Sequence, residues 1–146
     1  MRFADLKVGQ TAERSREMTA ALVDAYAELT GDFSPVHVDE AAAARSRFGT
    51  RIAHGMLSAG FLSAVIGMDL PGPGTIWVAQ ALRFKQPVKL GDTITWRVEV
   101  LELFHGKNRA TLATVCRNQN GEVVIEGEGT VLVLEERRVT TATSDE

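Results

Sequence analysis

The densest run of apolar residues spans residues 52–68, IAHGMLSAGFLSAVIGM, and contains no Lys, Arg, Asp or Glu. On a helix its large side chains cover nearly the whole circumference, which predicts burial on every side. A membrane span is the rival interpretation. At 1.5 Å per residue the run is about 25 Å long, which is shorter than the ~30 Å hydrocarbon core, and its glycines and serines suit lipid poorly. We therefore predict a central helix enclosed by the chain's own sheet.

Residues before this run favour short helices. Thr19 is a suitable N-cap for a helix over residues 20–30, which Gly31 ends. Asp39 is a suitable cap for a second helix over residues 40–46. Residues 11–18 carry only a weak extended pattern.

Residues after the turn at 71–74 alternate between apolar and polar, which is typical of β-strands. Turns at 91–92, 105–108 and 120–121 separate four such segments. Their predicted apolar faces are Ile76, Val78, Leu82 and Phe84; Ile94, Trp96, Val98 and Val100; Ala110, Leu112, Thr114 and Cys116; and Val123, Ile125, Val131 and Val133. Gly127 and Gly129 are expected to mark a bend in the last strand.

The predicted antiparallel sheet has one apolar face, and the predicted helix is apolar on every side. Both surfaces become buried when the sheet curls around the helix. This predicts an α+β hot-dog fold in one domain, residues 1–134, followed by a polar and disordered tail, residues 135–146. A sheet of three or four strands leaves open edges, so a homodimer that covers them is expected.

Composition excludes several classes of protein. The chain has 146 residues, 45% hydrophobic and 24% charged, and a formal charge of -3, which gives no reason to expect a nucleic acid or membrane partner. The single Cys116 excludes an internal disulfide and fits a reducing compartment. No signal segment is evident in the first ten residues, so the expected location is the cytoplasm.

Two features could carry chemistry. His54 and Gly55 open the predicted central helix, where unpaired N–H groups can hold a carbonyl oxygen that gains negative charge. Asp32 and His37 lie on a loop that Pro35 keeps from being helical throughout, and together they could hold a water as general base and acid. Each feature also has a purely structural interpretation: a helix cap and tight entry for the first, an Asx-type turn and a surface histidine for the second.

A metal site would draw on His37, Asp39 and His54. Their spacing matches no zinc signature, and Asp39 is better explained as an N-cap, so we expect no metal. The sequence contains neither a Gly-rich phosphate loop after a strand nor a G-x-S-x-G elbow.

Taken together, the segments GDFSPVHVD, RIAHGMLSAGFLS and ALRFKQPVKLGD resemble the MaoC-like dehydratases, and more narrowly the single-domain (R)-specific enoyl-CoA hydratases. The resemblance runs from about residue 6 to residue 134. Ser34 stands where Asn is common in that family, a departure that should leave the turn intact.

The resemblance implies roles for individual residues. Asp32 and His37 match the catalytic pair, and Gly55 matches the residue whose N–H binds the thioester carbonyl. Ser63 matches a supporting residue, with which we group His54. The implied reaction is reversible syn hydration of a trans-2-enoyl-CoA to a (3R)-3-hydroxyacyl-CoA, without a cofactor, in fatty acid oxidation or in supplying hydroxyacyl monomers.

The expected binding surfaces are less defined. An acyl chain beside the helix would contact Leu62, Ser63, Ile66 and Val131, although ordinary core packing explains them as well. Candidate contacts for the CoA phosphates are Arg45, Arg47, Arg83, Lys85 and Lys89.

Alternatives remain open at this stage. A dehydratase acting on acyl carrier protein thioesters would use the same residues. A hot-dog thioesterase would not need the Asp32 and His37 pair. A non-catalytic acyl-thioester binding protein would not need to retain both residues.

Overall fold

The computed structural model describes residues 1–135, which form a five-stranded antiparallel sheet and a set of helices. The strand order is β1-β3-β4-β5-β2. The strands are β1 (Thr11–Glu17), β2 (Thr75–Phe84), β3 (Thr93–Phe104), β4 (Arg109–Arg117) and β5 (Val123–Val133). The helices are α1 (Ala20–Thr30), α2 (Pro35–Val38), α3 (Glu40–Arg45), α4 (Gly55–Gly60) and α5 (Leu62–Ala64), with a short 3-10 turn at Phe3–Asp5. The predicted α+β class is confirmed.

The two predicted N-caps are confirmed. The Thr19 side chain accepts a hydrogen bond from the Leu22 N–H, and the Asp39 carboxylate accepts one from Ala42. Gly31 ends α1 with φ of 83°, a left-handed conformation that glycine adopts without steric cost. These features depend on neighbours in sequence, so local chemistry places both helices.

The central helix begins at Gly55 rather than at residue 52. It runs through α4 and α5, with a bend at Phe61, into a π-helical turn over Val65–Asp69. The prediction that it is buried on every side is wrong within this chain. Met56 is 58% exposed and Met68 is 62% exposed. Gly60 and Ser63 between them are exposed as well, so the described chain leaves part of this helix surface uncovered.

The inner face of β3 forms the centre of the core, as its alternation predicts. Ile94, Trp96, Val98 and Val100 are all buried. The Trp96 indole N–H donates to the carbonyl oxygen of Ser58 in α4 at 2.6 Å, which ties the helix to the sheet. Buried polar groups of this kind need such a partner.

Strand β4 lies beside β3 in the same sheet and continues its buried face. Its inward residues, including Leu112 and Cys116, are fully buried. Burial raises the pKa of the Cys116 thiol to about 12, because the low-dielectric core disfavours the thiolate.

The predicted face of β2 is partly wrong. A bulge between Trp77 and Ala79 shifts the register of β2 against β5 by one residue. The inward-facing positions of β2 are therefore odd-numbered before the bulge and even-numbered after it. Trp77 and Leu82 pack against the core, whereas Ile76 and Val78 are 48% and 44% exposed. Since β2 is an edge strand, these side chains lie beside its open edge.

Strand β1 is the fifth strand and pairs antiparallel with β3 along its whole length. Its residues are almost all exposed, so they lack the alternation that marks the other strands. The tail prediction for residues 135–146 falls, apart from Glu135, outside the described residues.

Candidate active site

Asp32 lies in a short polar turn directly after the end of α1. Its Oδ1 accepts hydrogen bonds from the Ser34 hydroxyl at 2.7 Å and from the Ser34 N–H at 3.1 Å. These two bonds, with a smaller electrostatic contribution from His54 and His37, hold the pKa of the Asp32 carboxyl below its ordinary value. Asp32 is exposed and is therefore ionised over the whole neutral range.

His37 lies on α2, not on a fully irregular loop as predicted. Pro35 occupies the first position of this one-turn helix, where its missing N–H costs nothing, and Ser34 before it is extended as expected. The His37 Nδ1 is 2.7 Å from the carbonyl oxygen of Ile52. A carbonyl can only accept, so Nδ1 carries the proton and Nε2 keeps a free lone pair.

His54 connects the start of the central helix to the turn that carries Asp32. It is buried, and its Nε2 lies 2.9 Å from the main-chain oxygen of Asp32, to which it donates. Its ring stacks on that of His37 with centroids 4.0 Å apart, and it contacts Tyr26 at 4.6 Å. His54 thus packs against both predicted catalytic residues rather than merely capping α4, since it makes no side-chain cap hydrogen bond.

One acceptor or donor atom from each of Asp32, His37 and His54 lies within 4.8 Å of the others. Two polar atoms at that separation can both hydrogen-bond one water, because two bonds of about 2.8 Å meeting near the tetrahedral angle span roughly 4.6 Å. The same three residues could offer ligands to a metal ion, whereas Asp39 is engaged in capping α3.

Gly55 lies at the junction of two cavities of about 300 and 430 Å³. Both cavities also contact His37 and Phe84. A Cβ on Gly55 would lie 2.8 Å from Cε1 of Phe84, so only glycine fits here without displacing that ring. As the first residue of α4, Gly55 has an N–H without an acceptor inside the helix.

The two cavities have different linings. The smaller one extends toward a rim that carries two cations and is lined further by Arg47, Phe48, Lys85, Gln86, Val88 and Ile125. The larger one contains both residues of the predicted catalytic pair and is lined further by Tyr26, Thr30, Asp32, His54 and Met56. A substrate whose carbonyl bonds Gly55 would pass from one cavity into the other.

The other predicted site residues lie elsewhere. Ser63 is exposed two turns further along the helix, and among residues 1–135 its side chain forms no hydrogen bond with Asp32 or His37. Leu62, Ile66 and Val131 are buried in the core and do not line either cavity at Gly55. Their predicted contact with an acyl chain stays a prediction.

Of the five predicted basic contacts, two line the smaller cavity, namely Arg47 and Lys85. Arg83 lines a separate groove on the sheet beside Glu126 and Glu128. Arg45 and Lys89 line neither cavity at Gly55.

Sequence reasoning missed three residues at the site. Phe84 was assigned to the core, yet it lies against Gly55 and lines both cavities. Tyr26 on α1 contacts the His54 ring and lines the larger cavity, and Arg51 is buried with its Nε donating to the main-chain oxygen of His37. Arg51 stands three positions before His54, and this proximity is the one sequence signal that could have identified it.

The chain is similar to known proteins over nearly its whole length. Residues 4–135 match the model of the MaoC like domain. The chain belongs to the MaoC-like family.

Within this family, the chain is 50% identical over 131 residues to an (R)-specific enoyl-CoA hydratase of Rhodospirillum rubrum, which covers 90% of each chain. It is 47% identical over 131 residues to a 3-hydroxybutyryl-CoA dehydratase of Methylorubrum extorquens, covering 90% of this chain and 83% of the relative. The solved structure of R-hydratase PhaJ1 from Pseudomonas aeruginosa is similar, with a TM-score of 0.89 and 47% identity over 92% of this chain and 86% of that one. The predicted family and hot-dog fold are confirmed.

No helix of this MaoC-like chain, within residues 1–135, combines the length and apolar character that crossing a bilayer requires.

The hydrogen bonds of Ser34 predict a measurable effect on Asp32. Replacing Ser34→Ala removes the hydroxyl donor but keeps the N–H donor, so the pKa of the Asp32 carboxyl should rise toward its ordinary value. Titration of the Asp32 carboxyl carbon by NMR checks this. Ser46→Ala, which removes a hydroxyl that donates to Ala43 and not to a carboxylate, should leave the titration of Asp32 unchanged. An identical Asp32 titration in the Ser34 variant would contradict the assigned cause.

Proposed function

We propose that this protein is an (R)-specific enoyl-CoA hydratase, a hydro-lyase that reversibly adds water to a trans-2-enoyl-CoA and yields a (3R)-3-hydroxyacyl-CoA. The observation that carries the proposal is the spacing of Asp32 and His37. Their polar atoms lie within 4.8 Å of one another, and both residues line a cavity that Gly55, the first residue of α4, also lines. The relatives named as hydratases and dehydratases support the same reaction in its two directions.

The acid and base act on one water. The Asp32 carboxylate accepts a hydrogen bond from one O–H of the water. The free Nε2 of His37 accepts a hydrogen bond from the other O–H. As the water oxygen bonds to Cβ, its proton passes to this pair, and a proton from the pair goes to Cα. Both new bonds form on the face of the alkene that the pair occupies, which gives syn addition.

The start of the central helix stabilises the charge that the reaction creates. Attack at Cβ moves electron density onto the thioester oxygen, which lies at the Gly55 N–H and the positive end of the helix dipole. One such donor is worth ~10²–10³ in rate, and a positioned acid or base ~10²–10⁴. The Phe84 ring lies against Gly55 and forms part of the wall of both cavities.

The cavity shapes support an acyl thioester as substrate. The rim of the smaller cavity presents Arg47 and Lys85, which suit the phosphates of CoA. Acyl carrier protein thioesters carry a similar pantetheine arm, so relative rates on the two carriers decide between them. We expect the higher kcat/KM on CoA thioesters.

The test follows the loss of the enoyl absorbance of crotonyl-CoA when purified protein is added. We expect rapid hydration and, by chiral analysis, the 3R product. A 3S product, or no hydration with any chain length on either carrier, would overturn the proposal and favour a binding protein.

We also propose that the protein is a homodimer. The exposed helix face with Met56 and Gly60 and the open edge of β2 with Val78 line one apolar groove of about 500 Å³. A second copy that pairs with this edge would cover it, as edge strands require. Light scattering should give twice the mass of the 15.8 kDa chain, and Val78→Glu should lower it to one chain. A monomeric wild type would refute the dimer.

We also propose a cytoplasmic location, which the single buried Cys116 fits.

A further inference from the structure

A buried guanidinium lies directly behind the catalytic turn. The side chain of Arg51 is 7% exposed. Its Nε donates to the main-chain oxygen of His37 at 2.5 Å, and its Nη2 donates to Oδ1 of Asp24 at 2.5 Å. Its Nη1 is 3.6 Å from the carboxylate of Glu40. One side chain therefore joins α1, α2 and α3.

The helix that carries His37 needs such an external restraint. Helix α2 has four residues, far fewer than an isolated helix needs to persist in water. Three contacts hold it to the segment before the central helix. The Ile52 N–H donates to Val36, the Ile52 carbonyl accepts from the His37 ring, and Arg51 holds the His37 carbonyl. The first contact holds the Val36 carbonyl and the second holds the His37 ring. The third holds the backbone of His37 itself.

We propose that Arg51 is a positioning residue for His37, and that Asp24 is the charge partner that keeps its guanidinium in place. The kinetic consequence rests on the proposed function, whereas the structural consequence does not. Arg51 does not face either cavity at Gly55, so it acts through the backbone of His37 rather than on the substrate.

The chemistry of the guanidinium explains why this position needs arginine. A buried cation is costly unless it is paired and its donors are satisfied, and Asp24 supplies the nearer of the two opposite charges. The planar fork places two donors in fixed directions, one toward Asp24 and one toward His37. Lysine carries the same charge on a single nitrogen and cannot reproduce that geometry.

The kinetic arm of the test compares Arg51→Lys and Asp24→Asn with wild type. A shift of about 1 Å in a catalytic group can cost ~10² in rate. We expect kcat for crotonyl-CoA hydration to fall by ~10-fold or more in Arg51→Lys and by a smaller factor in Asp24→Asn, with KM nearly unchanged. The matched control is Arg14→Lys, which alters an arginine of β1 that pairs with Asp69 and lines neither cavity at Gly55, so kcat should be unchanged.

The structural arm observes the His37 ring by NMR in the unliganded protein. The chain has three histidines, so the His37 Nδ1–H signal can be assigned by its loss in His37→Gln. We expect Arg51→Lys to shift or broaden this signal and Arg14→Lys to leave it as in wild type. Should Arg51→Lys fail to fold, Asp24→Asn decides by the same two readouts.

An unchanged His37 signal in the Arg51 and Asp24 variants would overturn the positioning role, whether or not kcat falls. A changed signal with unchanged kcat would overturn it as well, because the restraint would then not serve catalysis. If wild type shows no hydratase activity while the signal still depends on Arg51, the proposed function fails and the structural link to His37 stands.

Discussion

Replacing Asp32→Asn or His37→Gln is expected to lower the rate of crotonyl-CoA hydration by at least ~10² each. The asparagine keeps an oxygen that accepts from Ser34, so the turn should persist while the negative charge is lost. The glutamine removes the imidazole lone pair that the proposed mechanism uses as a base. Steady-state kinetics on both variants, with circular dichroism to show an intact fold, measures the effect.

Two matched variants act as controls for this experiment. Asp39→Asn changes a carboxylate that caps α3 and lies outside the catalytic pair. His105→Gln changes a histidine that packs against Phe3, away from the cavities at Gly55. Both should keep the wild-type rate. Full activity in the Asp32 or His37 variant would eliminate the acid–base mechanism proposed here.

Adding a single methyl group at Gly127 should destabilise the fold more than any other alanine substitution discussed here. A Cβ at this position in β5 would lie 1.9 Å from the main-chain oxygen of Ala81 in β2, so the two strands would have to separate. We expect Gly127→Ala to cost about 3 kcal/mol, the upper part of the range for overpacking. For a domain of this size the Tm should fall by about 6–12 °C. Thermal unfolding at a fixed protein concentration measures it.

Gly129 provides the matched comparison on the same strand. A Cβ there would meet the side-chain oxygen of Gln80 at 2.2 Å, not a main-chain atom. Since a side chain can rotate away, Gly129→Ala should cost less, although Gln80 would lose its bond to Trp77. An equal or larger loss at Gly129 would show that backbone contact is not what distinguishes the two positions.

The parts of the structure that local chemistry decides could be predicted from the sequence. The caps at Thr19 and Asp39 and the end of α1 at Gly31 follow from residues within four positions of each other. The buried face of β3 follows from strict alternation. Asp32 and His37 could be proposed as a pair because their segment and the start of the central helix together resemble the MaoC-like family, and the structure brings their polar atoms within 4.8 Å.

The errors share a different origin, because they depend on residues far apart in sequence. The bulge after Trp77 reverses the inward face of β2, and only the register against β5 reveals it. An apolar helix looks the same whether its neighbour is its own sheet or another molecule, which is why burial around Met56 was overestimated. The stacking of His54 on His37 joins residues seventeen positions apart, a contact that no local pattern encodes.

The unreactive thiol of Cys116 makes this chain convenient for site-directed labelling. With its pKa raised to about 12 and its sulfur in the core, it offers almost no thiolate to alkylating reagents at neutral pH. No other cysteine is present in the sequence. A cysteine introduced at an exposed position would therefore be the only reactive handle, so a fluorophore or spin label can be attached without first removing a native residue.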